Sequence, residues 1–123
     1  MLTIDEMMRR YENGEDAFDL TVEKWVRIKF YLERNFSKFG LAEALQRAVL
    51  KVPFCFDYQN HCIFCPLEEI CQNPSSTYYG IIEEMIESIQ SGDLSLQSSI
   101  LSKIDALIGE VKRIKEEWKS RAH

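Results

Sequence analysis

Between Lys51 and Lys103 the chain contains no lysine or arginine, while Asp57, Glu68, Glu69, Glu83, Glu84, Glu87 and Asp93 all fall inside that interval. Nucleic-acid binders meet a phosphate backbone with clustered Lys and Arg, so this stretch argues against direct contact with DNA. Long apolar runs are missing as well, and without one there is no transmembrane helix. The N-terminal MLTIDEMMRRYENGED has no apolar h-region, so the expectation is no signal peptide and a cytoplasmic location. No segment alternates with a period of two for long enough to make a strand, which leaves an all-α fold. There is no G-x-S-x-G setting, no P-loop and no E-x-x-H to complete a carboxylate metal site, so an enzyme active site is not visible. Finally, no cysteine lies outside the stretch Cys55–Cys71, and that stretch holds all 4 of them.

What is present fits one helical domain spanning 1–123, a small bundle of about five helices, with 46% apolar residues to fill its core without disulfide staples. Thr3 with Glu6 makes a capping box ahead of a short helix carrying Met7, Met8 and Tyr11, which NGED breaks. A second helix is expected over 19–36. Val22, Trp25, Ile28 and Leu32 share a face there, and Val26 and Phe30 widen it enough to predict a central position. A third is expected over 41–52, stopped by Pro53. After NPSS, a fourth is predicted over 77–91 with Tyr79, Ile82, Ile86 and Ile89 as its stripe and Gly92 as its end. The last, over 95–118, repeats Ile100, Ile104, Leu107, Val111, Ile114 and Trp118 at heptad spacing and would be roughly 36 Å long. That stripe is either a seam within the bundle or the contact of a homodimer through the C-terminal helix.

The cysteine loop, 53–74, falls between the third and fourth main helices. In a reducing cytosol its thiols point to metal rather than to disulfides. Four thiolates gathered at one place repel by roughly 3 kcal/mol per pair at an effective dielectric near 20, so a cation must neutralise them or they stay protonated. A zinc ion bound in this way is worth on the order of 10–16 kcal/mol, comparable to the whole stability of a domain. Zinc sites usually draw on two short cysteine knuckles, and this chain has one, Cys62 with Cys65, flanked by single cysteines. The layout favours an iron cubane and leaves zinc open.

The spacing C-x6-C-x2-C-x5-C, with the tail Cys62-Ile63-Phe64-Cys65-Pro66-Leu67 running on to Cys71, resembles the iron-sulfur loop of the endonuclease III and adenine DNA glycosylase family. The resemblance implies Cys55, Cys62, Cys65 and Cys71 as the ligands of one 4Fe-4S cluster. It stops at this stretch. That family's G-x-G hairpin turn has no counterpart among Gly14, Gly40, Gly80, Gly92 and Gly109, and the usually basic segment between its first two ligands reads FDYQNH here. The cofactor is carried over and the glycosylase activity is not.

Around the ligands, Pro66 is expected to open a short helix through Cys71 whose free N–H groups aim at the sulfurs of Cys62 and Cys65. Phe54, Phe56, Tyr58 and Phe64 are expected to exclude water, and His61 to sit beside the ligands rather than among them. Asp57, Glu68 and Glu69 add negative charge, which predicts a low reduction potential. Glu83, Glu84 and Glu87 read as a solvated face, and His123 as a terminal residue without a role. Lys24, Arg27, Lys29, Arg34 and Lys38 read as the basic side of a helix, the best sequence argument for an acidic partner. The function expected from these readings is a non-enzymatic 4Fe-4S accessory or interaction protein that works with a protein partner. A zinc-stabilised adaptor, an electron carrier and a nucleic-acid-binding module remain as alternatives.

Overall fold

The structure, a computed structural model, describes residues 1–59, 61–62 and 65–121 of the chain. Helix α1 is Ile4–Glu12, α2 Ala17–Arg34, α3 Lys38–Ala48, α4 Pro53–Asp57, α5 Glu68–Cys71, α6 Thr77–Ser91 and α7 Gln97–Arg121. The described residues contain no strand. All five expected helices form, and the cysteine segment adds the two short ones, α4 and α5.

Local chemistry sets most of the boundaries. Thr3 accepts from the Glu6 amide at 3.1 Å, completing the expected cap of α1. Asp16 caps α2 through the Phe18 and Asp19 amides, at 2.8 and 3.1 Å, so this helix starts earlier than its apolar pattern suggests. Ser37 caps α3 through the Gly40 amide at 3.0 Å, and Ser76 caps α6 through the Tyr79 amide at 3.4 Å. Gly92 ends α6 with φ of 74°, a left-handed conformation that glycine adopts without penalty. Helix α3 ends at Ala48, short of the expected Val52, and Pro53 opens α4 instead of closing α3. Proline at a first helical position loses no hydrogen bond, so the residue that stops one helix in the sequence reading starts another.

Helix α2 packs on α3 and α7, and α6 packs on the same two. Side-chain pairs fix the directions. Lys29 meets Asp105 at 2.7 Å and Lys115 meets Asp19 at 2.6 Å, so α2 and α7 run antiparallel. Thr77 bonds Glu110 at 2.7 Å and Glu84 pairs with Lys103 at 3.0 Å, so α6 and α7 do too. With the short turn between α2 and α3, the four form an up-down-up-down bundle. Its core holds Ile28, Leu32, Leu41, Ala44, Ile81, Met85, Ile100 and Ile104, each 0% exposed. A fully buried large apolar side chain contributes roughly 1.5–3 kcal/mol, so this ring is the main source of stability. No helix of the described residues is long and apolar enough to cross a membrane.

Two apolar readings are corrected, and a third holds except at its last residue. Phe30 does not widen the buried arc of α2 but stands 56% exposed. On α6 the buried stripe is Ile81, Met85 and Ser88, with Tyr79, Ile82 and Ile89 half-buried and Ile86 exposed. Helix α6 sits between two neighbours, α3 and α7, so a face offset from its most apolar stripe becomes the deepest. The heptad seam of α7 is buried in the chain's own bundle from Ile100 to Ile114, and only Trp118 reaches the surface, at 38% exposure.

Candidate functional site

The segment carrying the cysteines joins the end of α3 to the start of α6 and so closes one end of the bundle. The start of α2 and the end of α7 lie at the same end. Phe54 packs edge-on against Phe18 with ring centroids 4.7 Å apart, and Arg113 of α7 reaches Glu69 at 3.0 Å. Val52, Pro53, Phe54, Pro66, Leu67 and Ile70 are buried beneath the segment. The Ser76 hydroxyl donates to the Ile70 carbonyl at 2.8 Å while capping α6, which ties the exit of the segment to the bundle.

Cys55 lies in α4, its amide donating to the Val52 carbonyl at 2.8 Å, and Cys71 is the last residue of α5, its amide donating to the Leu67 carbonyl at 3.0 Å. Cys65 is held by a turn, its amide on the Cys62 carbonyl at 3.0 Å. All four cysteines are free thiols; Cys62 is exposed and the other three are half-buried. Burial first, then Cys55 and Cys65, pushes the Cys71 thiol up to about 11, with Lys24 pulling the other way. Burial is also the largest cause of the upward shift at Cys65, opposed by the Leu67 amide, which donates to its sulfur at 3.4 Å. Among the described residues, however, no group of three or more His, Cys, Asp or Glu side chains is placed to hold a metal ion. The thiols share one end of the bundle without closing into a coordination shell.

The expected surroundings are met in part. Helix α5 starts at Glu68 rather than at Pro66, so the amide that reaches a sulfur, that of Leu67, precedes the helix. Phe54 is buried and Tyr58 half-buried, but Phe56 is 40% exposed, with the Lys51 ammonium 5.7 Å from its ring centroid. His61 is exposed, and its amide donates to the Tyr58 carbonyl at 2.8 Å. Phe64 and His123 lie outside the described residues. The acidic field is partly answered: the Tyr11 hydroxyl donates to the Asp57 carboxylate, and Arg113 pairs with Glu69. Glu84 is not a bare solvated carboxylate either, since it accepts from the Ser99 hydroxyl at 2.6 Å and pairs with Lys103.

The basic stripe loses one member: Arg34 and Lys38 are exposed and Arg27 and Lys29 partly exposed, but Lys24 is not on it. Arg27 is paired with Glu23 at 2.7 Å, Lys29 with Asp105, and Lys24 is not on the surface at all but 5% exposed. The Lys24 ammonium donates to the carbonyls of Ala48 and Leu50, both at 2.9 Å, at the end of α3. Burial lowers its pKa to about 8, against the opposing pull of Cys55 and Cys71. It lines a cavity of about 360 Å³ whose other walls include Trp25, Val52, Cys55, Ile70, Cys71 and Tyr78. The signal for this residue was in the sequence. Lys24 is four residues after Leu20 and four before Ile28, which puts it on the buried face of α2.

No family model matches the chain, and neither a curated protein nor a solved structure matches it.

The donor types present, four free thiols on one segment and a backbone amide on one of the sulfurs, are those of a thiolate-bound metal group, but the described residues do not bring three of them together as a coordination shell.

Proposed function

We propose that the chain binds one 4Fe-4S cluster through Cys55, Cys62, Cys65 and Cys71, and that the cluster stabilises the fold or senses oxidants in a non-enzymatic accessory protein that works with a protein partner. The observation that carries this reading is four free thiols on one short segment at the end of the bundle, at a spacing that resembles a known cluster loop. When bound, such a cluster supplies one-electron chemistry, tuned by hydrogen bonds to its sulfurs and by nearby charge. The protein's part would be to hold it. Phe54, Leu67 and Ile70 anchor the ligand segment in the core, and the Leu67 amide would donate to the Cys65 thiolate. A redox carrier is the second reading, favoured by the exposure of Cys62, which would leave one edge of a bound group open to solvent.

Protein purified without oxygen should show the broad visible absorption of an iron-sulfur cluster and about four irons per chain. A colourless protein with a single zinc would replace this reading with a zinc-stabilised adaptor, and one that holds neither metal would overturn both. Cys65→Ala should then lose the metal and much of the thermal stability, because the free energy of metal binding is also free energy of folding. Full thermal stability after loss of metal would show that the site does not hold the fold together. Separating carrier from sensor takes a redox titration, in which reversible cycling of the bound cluster supports the carrier.

A further inference from the structure

We propose that Cys62 and Cys65 are a pair that hydroperoxides oxidise to a disulfide across the turn they bound. The inference goes beyond the reading of the four cysteines as ligands, because it needs two thiols and no metal.

The turn supplies the geometry. The Cys65 amide donates to the Cys62 carbonyl at 3.0 Å. A bond from the amide of residue i+3 to the carbonyl of residue i closes a turn whose end Cα atoms lie under about 7 Å apart. Disulfides join cysteines whose Cα atoms are roughly 4.4–6.8 Å apart, so this turn brings the two to bridging range. Among the described residues no three of the metal-ligating side chains are gathered, and a bridge asks for two.

Access supplies the order of events. Cys62 is exposed, whereas Cys55, Cys65 and Cys71 are half-buried, so an oxidant arriving from solvent meets the Cys62 sulfur first. The Leu67 amide donates to the Cys65 sulfur at 3.4 Å, which fixes where the second thiol stands. The other two cysteines are placed differently. Cys55 and Cys71 line the internal cavity with Lys24 and Trp25, while Cys65 lines a surface cleft with Pro66, Ile114 and Trp118.

The step balances with one hydroperoxide, ROOH. The Cys62 sulfur attacks a peroxide oxygen; the O–O bond breaks, the alcohol ROH leaves with the thiol proton, and Cys62 becomes a sulfenic acid. Cys65 then attacks that sulfur; the S–S bond forms, the S–O bond breaks, and the hydroxyl leaves as water with the second thiol proton. The two thiols lose two electrons in all, and the peroxide gains them. A dithiol reductant reopens the bridge by exchange. The competing use of such a pair is as a metal knuckle. A shell of four thiolates needs both sulfurs and the bridge consumes them, so each use excludes the other.

The test treats the full chain, as purified and after chelation, with a slight excess of hydrogen peroxide, then alkylates it and maps it by mass spectrometry without reduction. The expected result in both samples is loss of two of the 4 thiols, in a peptide that carries Cys62 and Cys65 and is lighter by two hydrogens, with Cys55 and Cys71 alkylated. In Cys65→Ser the reaction should stop at the Cys62 sulfenic acid, trapped by dimedone, and Cys62→Ser should form no bridge. Thiols left intact by peroxide, a wild-type bridge that joins Cys55 or Cys71, or Cys62 carried on to sulfinic acid with Cys65 untouched would each overturn the proposal. Iron and zinc analysis of protein purified without oxygen keeps the two readings apart. A bridge in a chain that binds neither metal supports the pair and overturns the ligands. Metal-loaded protein that forms no bridge once stripped overturns the pair and leaves the ligands standing.

Discussion

Substituting alanine for Gly40 should damage the turn that sets α3 against α2, and the structure gives the size of the effect. A Cβ at Gly40 would lie 1.7 Å from the Asn35 carbonyl oxygen and 2.9 Å from its carbon, where ordinary contact begins near 3.4 Å. The clashing atoms are backbone, so no rotamer change relieves them; the whole Asn35–Gly40 turn must open. Two hydrogen bonds are then at risk: the Asn35 amide on the Tyr31 carbonyl at 2.9 Å, and the Gly40 amide on the Ser37 hydroxyl at 3.0 Å. Each is worth about 1 kcal/mol net. Overpacking adds about 1–3 kcal/mol, and the better helix propensity of alanine returns about 1. The expected net loss is about 2–4 kcal/mol, or roughly 8–16 °C in Tm for a chain of this length. Urea denaturation followed by circular dichroism, with the m-value checked for constancy, measures it. Gly109 is the control. It lies mid-helix in α7 with nothing within 4 Å of an added Cβ, so Gly109→Ala should gain up to about 1 kcal/mol. If both glycines respond alike, the close approach at Asn35 is not what requires glycine at position 40.

Ser88 is 0% exposed and its hydroxyl has no hydrogen-bond partner among the described residues, so Ser88→Ala should stabilise the chain by about 1 kcal/mol, read as a Tm rise of roughly 4 °C. A fall in Tm would mean that the hydroxyl is satisfied in solution. Stability of the metal-free protein should depend on pH in two opposed ways. Lys24 has a folded pKa of about 8 against 10.5, so the unfolded chain binds the extra proton between those values and stability rises with pH across that window. Cys71 is pushed from 9.0 up to about 11, so its contribution is complete below pH 9 and is lost as pH rises toward 11. Cys65 and Tyr78 shift in the same direction as Cys71, so stability should rise above about pH 8 and turn over at higher pH, and urea midpoints taken at one-unit steps would locate the turn. A steady decline from neutral pH upward would contradict the burial of a charged Lys24. Arg113, in exposed pairs with Glu69 and Glu117, is a contrast: Arg113→Ala should change stability by less than about 1 kcal/mol, checked by the same midpoints.

The parts of this fold that can be read from the sequence are those where one local rule acts without competition. Thr3 and Glu6 sit at capping-box spacing, and the cap forms between them. The heptad seam of α7 is buried as its period requires, because that helix meets α2 and α6 along a single stripe. Where two rules compete, the sequence is ambiguous. On α6 the helical period is satisfied by Tyr79, Ile82, Ile86 and Ile89 and equally by Ile81, Met85 and Ser88. Only the placement of α3 and α7 on either side decides which stripe is deepest. At Pro53 a stop and a start signal are the same residue. The cysteine spacing names the donors but carries no information about what lies beneath them, since that depends on which face α2 turns toward the end of the bundle. Lys24 shows the cost of reading charge before position. Grouped with Arg27, Lys29, Arg34 and Lys38 it is one more surface base, yet its spacing from Leu20 and Ile28 makes it a core residue. A lysine is tolerated there only where something offsets the loss of its hydration. Two backbone carbonyls, those of Ala48 and Leu50, and the face of the Trp25 ring do that here. The base that the helical period places in the core therefore fastens α2 to the end of α3, where the cysteine segment begins.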